Sequence, residues 1–417
     1  MKVVVQKFGG TCVESQENQL ITAERIMEAR DRGLHPVIVV SAMGRQGQPY
    51  STAELVSTVR GIHPDIQPRE LDLLMSCGEI ISTVAMAHLL RTKGYETTAL
   101  SGGQAGLMTD GFYGHARIVR IVPTHLLSAL QDGHIVFVAG FQGNTESHQI
   151  TTLGAGGSDY TAVALTHVID DTPQLPFGEE LEVEPLQIFK EVDGIMTANP
   201  KSLDGDSLPR TLPQLTYDEC VAMSRLGAEV LQQQAAEMAR KYGIPLTVRN
   251  FLVPDSSGTT VGTPEGSSGD DRATAIVDQP RLFVFDIESD NPRLPLQIAE
   301  RLERARLTFF QVSTKETRTR FAVQPSKYRD LDSLIRQILA QRVTHADINS
   351  SDFALVSVVG EAVRRRIDHW SEQAERVLAD NKIGIHGTAS NDISFSYLVA
   401  EEQRKKAVGA LHKALVL

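Results

Sequence analysis

Short, unbroken runs of β-branched and other apolar residues recur along the first two-thirds of this chain. Each is followed by a stretch with helical periodicity, and that alternation constrains the fold more than any other feature. VVVQKF at 3–8, HPVIVV at 35–40, ETTAL at 96–100, IVFVAGF at 135–141, LQIFKEV at 186–192 and IPLTVRNF at 244–251 read as strands. Most are too continuously apolar to leave one face in water, as expected of parallel strands covered on both sides. Between them lie the helical stretches NQLITAERIMEARDRG, closed by Gly33, RELDLLMSCGEIISTVAMAHLLRTKG, closed by Gly94, DYTAVALTHVI, and YDECVAMSRLGAEVLQQQAAEMARKYG. The pattern predicts an α/β domain, a mostly parallel sheet sandwiched by helices.

Near VPDSSGTTVGTPEGSSGDDRAT, residues 253–274, the composition turns to Gly, Ser, Thr, Pro and Asp, and this marks the main boundary. Beyond it the pattern is strand (LFVFDIE), helix (PLQIAERLERARL), two strands (TFFQVST, TRFAVQP) and helix (DLDSLIRQILAQR). It then restarts with FALVSVVG, DHWSEQAERVLADNK, IGIHGTAS, ISFSYLVA and EEQRKKAVGALHKAL. Two β-α-β-β-α units in tandem predict a pair of small α+β domains of ferredoxin-like type. The expected boundaries are 1–265, 281–349 and 353–417. Lacking catalytic clusters, the pair reads as a ligand-sensing or dimerising module.

With 417 residues, 41% hydrophobic and 22% charged, burying a core poses no difficulty. A net charge of −11 argues against nucleic acid as a partner, so any anionic ligand needs a local cationic site. Cys12, Cys77 and Cys220 have no metal or disulfide spacing, and read as reduced thiols. The N-terminal apolar run is too short for a signal peptide and no stretch suggests a membrane span, so the expected location is cytoplasmic, with no membrane partner.

Chemistry concentrates in a few places. Lys7-Phe8-Gly9-Gly10-Thr11 ends a strand before a helix. Glycines let backbone N–H groups approach a phosphate and a lysine adds compact positive charge, although an ordinary turn beside a solvated lysine reads equally well here. TTLGAGGSDYTAVAL, residues 151–165, repeats the arrangement, with Ser158 and Asp159 either capping a helix or meeting a ligand. Asp72, Ser76, Glu79 and Ser82 share one helix face, as a solvated stripe or a ligand-facing row. Asp193 precedes a glycine after a strand, which suits a turn or a ligand-facing loop.

In order along essentially the whole chain, VVVQKFGGTCVES, VVSAMG, LLMSCGEIIS, GGQAGLMT, HARIV, VAGFQG, TTLGAGGSD, EVDGIMTANPK, LGAEVL and IPLTVRN resemble the blocks of the aspartate kinases, within the amino-acid kinase superfamily. The loop SAMGRQGQPYST is most similar to the short, single-function bacterial enzymes. The resemblance implies the amino-acid kinase fold with two C-terminal ACT domains, ATP and Mg²⁺ as cofactors, and an amino acid as the small-molecule substrate. It also implies a homodimer or higher homo-oligomer assembled through the ACT domains. Carried over by position, it makes Lys7 and Asp159 catalytic. It places Lys7, Gly9, Gly10, Thr11, Asp193 and Lys201 at ATP, and Ser41, Thr52, Glu79 and Ser158 at the amino-acid substrate, with Glu79 meeting its ammonium group. No residue is assigned as a metal ligand.

Several motif charges differ from the family pattern. Ala155 stands for an arginine expected to pair a substrate carboxylate, and Glu229 for a lysine expected near the ATP phosphates. Gln232-Gln233-Gln234, Ile80, Glu191 and Ala198-Asn199-Pro200-Lys201 are further departures, with Lys201 and Arg225 as candidate compensating cations. In the second unit, Arg364, Arg365 and Arg366 fill a loop that the family keeps small and apolar. Three readings follow: an aspartate kinase with a compensated site, a kinase for another carboxylate or amino acid, and a non-catalytic regulatory relative.

Overall fold

The computed structural model of this chain describes all residues except 173, 176–177, 204–207, 229, 264–271, 289–290, 292, 316–317, 326–330 and 340–345. The backbone divides into two units. One comprises Met1–Ile195, Leu212–Tyr217 and Leu231–Pro264, the other Met196–Thr211, Asp218–Val230 and Glu265–Leu417.

In the first unit the β-branched runs become the middle of a sheet. From one edge the strands are Thr97–Leu100, Ile135–Ala139, His35–Val40, Lys2–Phe8, Leu186–Lys190, Leu246–Asn250, Thr259–Gly262 and Gln214–Thr216. The first six are mutually parallel, and Thr259–Gly262 runs antiparallel to Leu246–Asn250. Lys2–Phe8 sits at the centre: the chain fills one side of it first, then crosses to the other at Leu186–Lys190. That reversal is the topological switch point, where the carboxyl ends of two neighbouring strands open a crevice suited to a ligand.

Helices cover the sheet as the periodicity predicts. Gln16–Asp31 starts at Ser15, whose hydroxyl accepts from the Asn18 N–H. Pro68–Thr92 starts with Pro68 in the first turn, where a missing N–H costs nothing. It alone among the described helices is long and apolar enough to cross a membrane, which corrects the expectation that no stretch comes close. Its apolar face is instead packed on the 97–100, 135–139 and 150–152 strands. Asp72, Ser76, Glu79 and Ser82 are all buried on that helix, so the row is not a solvated stripe.

Several elements went unforeseen, among them the helix Thr124–Gln131. Thr52–Arg60 is a helix capped by Ser51, and Leu107–Thr109, Ile118–Ile121, Gln142–Asn144 and Ile150–Thr152 form a separate small sheet. The helical stretch from Tyr217 is two helices, Tyr217–Arg225 and Gln233–Tyr242, separated around Gly227 at φ +100°.

In the second unit the two repeats share one antiparallel sheet of six strands. The order is Phe309–Lys315, Arg318–Val323, Ala275–Glu288, Ala346–Val359, Ser394–Ala400, Gly387–Asn391. The two 14-residue strands pair along nearly their whole length, with a register shift between Gln279 and Leu282. Pro280, which has no N–H to donate, and Arg281 at φ 53° lie at that bulge. Each half of the shared pair completes a four-stranded ferredoxin-like set. Two apolar clusters result, one around Phe285, Ile298 and Phe321, the other around Trp370, Tyr397 and Leu411.

Candidate functional site

At the switch point Lys7 is the next-to-last residue of the Lys2–Phe8 strand, and its ammonium lies 2.6 Å from Asp159 Oδ1. Both side chains are almost fully buried. Asp159 occupies the first turn of the helix Gly157–Asp170, which is preceded by Gly156 in the left-handed region at φ 77°. Burial opposes ionisation of Asp159, yet its carboxyl is held below the usual carboxylate range. The charges of Lys7 and Lys190, the Lys7 hydrogen bond and the Gln232 N–H all favour the anion. A strand-end lysine, a helix N-terminus and flexible backbone therefore meet in one place, the requirements of a phosphate site.

The loop after Lys7 is fixed by backbone contact. The Gly9 N–H donates to the Phe189 carbonyl, and Gly10–Val13 forms a 3-10 turn. The Gly10 carbonyl accepts from the Gly44 N–H, while a Cβ on Gly10 would stand 2.7 Å from the Ala42 carbonyl oxygen. Gly10 is thus required by the close approach of the 41–44 loop. A Cβ on Gly9 would meet nothing closer than 3.8 Å, so the fold does not demand glycine there. Thr11 is half-buried, and its carbonyl accepts from the Asn18 side chain. Cys12 donates to the Phe189 carbonyl, and burial pushes its thiol up to about 12, so it stays an unreactive thiol.

Glu79 reaches the same region from the helix Pro68–Thr92. Its neighbour Gly78 lets that helix approach so closely that a Cβ would lie 2.7 Å from the Ala42 side chain. Glu79 Oε1 accepts from the Ala42 N–H at 3.0 Å, whereas Oε2 is buried with no partner among the described residues. Burial pushes its carboxyl up to about 8, against the Ala42 N–H and the Lys7 charge. A buried carboxylate with one open oxygen is suited to receive a cationic group.

The remaining sequence candidates divide. Ser158 is buried, and a Cβ on Gly140 would lie 2.8 Å from its hydroxyl, so the GFQG turn closes over it. Ser41 is half-buried beside Ala42, and its N–H donates to the Phe8 carbonyl. Thr52 opens the helix Thr52–Arg60, but the capping hydroxyl is that of Ser51. Asp193 is exposed and accepts from the Asn250 side chain at 2.8 Å. Ala155 is exposed in the glycine-rich loop. Lys201 and Arg225 belong to the second unit, and Glu229 lies outside the described residues.

Asp72 proves to be a tie. It accepts from the N–H groups of Gly114 and Thr152 and from the Thr152 hydroxyl, with burial raising its carboxyl to about 6. Two residues escaped the sequence reading. Arg45 pairs with Glu191 at the rim of the switch point, and Lys190 ends the neighbouring strand. A lysine closing an otherwise apolar strand, as Lys7 does, was the signal that could have found Lys190.

The sheet order, the switch point and the two glycine-rich turns suit a site for a phosphate-bearing small molecule, and comparison with known proteins shows the class to be that of the amino acid kinases. The sequence profile of the amino acid kinase family matches residues 2–250. Aspartokinase 1 of Bacillus subtilis is 32% identical over 426 residues, covering 100% of both chains. An aspartokinase of Geobacillus stearothermophilus is 35% identical, covering 100% of this chain and 98% of its own. Among solved structures, Escherichia coli aspartokinase III in complex with aspartate and ADP superposes with a TM-score of 0.81 at 20% identity, over 100% of both chains, a likeness of fold. The chain belongs to the amino acid kinase family and, within it, to the aspartokinases.

Proposed function

We propose that this chain transfers the terminal phosphoryl group of ATP to the side-chain carboxylate of aspartate, giving 4-phosphoaspartate, the first step toward lysine, threonine and methionine. The observation that carries the reading is the juxtaposition of the buried Lys7–Asp159 pair at a helix N-terminus with Glu79, whose Oε2 is open. Full-length relatives named aspartokinase support the same reading.

The acceptor carboxylate is already ionised near neutral pH, so the reaction needs no strong base. What it needs is in-line positioning and neutralisation of charge on the transferring group. Lys7 supplies positive charge there, and Asp159 orients its ammonium. The N–H groups of Gly10 and the Thr11 turn are proposed to cradle phosphate oxygens, with Gly9, whose own N–H is taken by the Phe189 carbonyl, leaving room beside Lys7. Asp193 is proposed to serve the nucleotide, as the family pattern assigns it. Glu79 binds the ammonium group of the amino acid, with Ser41, Thr52 and Ser158 on the substrate side. Mg²⁺ bound with the nucleotide would neutralise charge on its phosphates.

The domain limits 1–265, 281–349 and 353–417 are proposed to separate the kinase from two ACT-like domains that join subunits. The three free thiols suit a reducing, cytoplasmic setting. Ala155 favours a second reading, a kinase for another carboxylate or amino acid, because alanine cannot pair the substrate carboxylate that the family arginine is expected to meet. A coupled assay of ADP release with Mg·ATP and a panel of amino acids decides. Turnover best with aspartate is expected. Turnover only with another acid supports the second reading, and ATP binding without turnover on any acceptor rejects both.

A further inference from the structure

The charge at the phosphate site does not balance with Lys7 alone. Lys7 is matched by Asp159 at 2.6 Å, and Glu79 adds a second carboxyl nearby. A nucleotide polyphosphate brought there meets little net positive charge from these three side chains. The expected second lysine is replaced in sequence by Glu229.

Strand register shows where that cation stands. In the parallel pair, Lys7 is the partner of Ile188 and Phe8 of Phe189. The Phe8 and Phe189 rings stack 4.7 Å apart within the apolar cluster on one face of the sheet. Lys7 and Ile188 therefore share the opposite face, and Lys190, two residues on, returns to it. The helix Gly157–Asp170, which carries Asp159 in its first turn, packs against both strands. Lys190 thus ends its strand roughly 7 Å beyond the level of Lys7, at the carboxyl edge of the switch point. It is half-buried, with its backbone carbonyl fixed by the Phe251 N–H.

We propose that Lys190 is a second phosphate-contacting cation of this active site, meeting the nucleotide's phosphate chain beside Lys7. The inference rests on the kinase reading above. Its charge already bears on Asp159, which it helps to keep ionised. A lysine at this strand end has the right chemistry, because its compact charge sits on a flexible stem that can follow a moving phosphoryl group.

The test uses the full-length protein with Lys190→Met and Lys190→Arg, folding being checked by thermal midpoint. Binding of ATP and of adenosine is measured first, without acceptor, and then ADP release with aspartate. Lys190→Met is expected to weaken ATP at least tenfold while leaving adenosine and the KM for aspartate within twofold. It should also lower kcat by about 100- to 1000-fold, the usual cost of one preorganised charge-stabilising group. Lys190→Arg should stay within tenfold of wild type in both. Lys190→Met with wild-type ATP affinity overturns the proposal, as does an equal loss of ATP and adenosine. If wild type binds ATP but phosphorylates no acceptor, the function reading fails and the binding comparison still decides Lys190. A wild-type chain that binds no ATP overturns both.

Discussion

Replacing Glu79 by glutamine separates the carboxylate's service to substrate from its cost to the fold. The Ala42 N–H has an acceptor either way, so the variant keeps the hydrogen bond that the Glu79 carboxyl accepts. What it loses is the negative charge. The carboxyl is raised from 4.5 to about 8 by burial, so the folded chain holds a proton that the unfolded chain releases between those values. The stability this proton confers is fully present below pH 4.5 and is lost as pH rises through about 8. At about 1.36 kcal/mol per pH unit, the penalty borne by wild type is about 2 kcal/mol at pH 6 and about 5 kcal/mol above pH 8. Glu79→Gln should therefore be the more stable protein at pH 9, by a few kcal/mol, and nearly equal to wild type at pH 5. Urea melts of both proteins at pH 5, 7 and 9 read that gap. In the same variant the KM for aspartate should rise at least 30-fold, because a buried charge pair with the ammonium typically contributes about 2–5 kcal/mol. In wild type that KM should fall as pH rises toward 8, as the carboxylate forms. A variant less stable than wild type at pH 9, or one with an unchanged aspartate KM, would refute the reasoning.

Three further perturbations probe other parts of the molecule. Lys7→Ala should abolish ADP release and, by leaving Asp159 buried without its partner, cost about 3–5 kcal/mol. Adding Asp159→Asn should restore most of that stability and none of the activity, and a double variant as unstable as the single one counts against the pairing. Gly10→Ala forces a Cβ to 2.7 Å from the Ala42 carbonyl oxygen, so a loss of about 1–3 kcal/mol is expected in thermal melts, whereas an unchanged midpoint contradicts the close approach. In the second unit, Arg364 is held by Asp218 and Glu361 where the family has small apolar residues, so lysine, threonine and diaminopimelate should inhibit weakly or not at all. Dose-dependent inhibition by any of them at sub-millimolar concentration would remove that prediction.

Much of the first unit was legible because its signals are local. A parallel strand buried on both faces must be apolar along its length, so VVVQKF and IVFVAGF announce themselves. Lys7 and the GAGGSD turn were visible for the same reason, as polar and flexible residues where apolar ones end. Weaker local signals failed: three-residue strands carry too little pattern, and the split after Arg225 depends on Gly227 adopting φ +100°. The row from Asp72 to Ser82 was legible as a face, but its two carboxylates could not be told apart. Asp72 is bound by three donors while Glu79 meets one, because of what segments 37 to 80 residues away in sequence bring beside them.

The sequence by itself determined the α/β architecture, the strand-end lysine, the helix starts and the family, each a property of short segments or of their order. Only the tertiary structure decided which charges meet. That Lys7 faces Asp159 across 152 residues follows from the packing of the helix Gly157–Asp170 on the Lys2–Phe8 strand, and that Lys190 returns to the face of Lys7 follows from parallel register between strands some 180 residues apart. The sharing of two long strands by both C-terminal repeats is likewise a matter of pairing. Pairing is set by the burial of whole sheet faces, a long-range energy to which each residue contributes and which no single segment encodes.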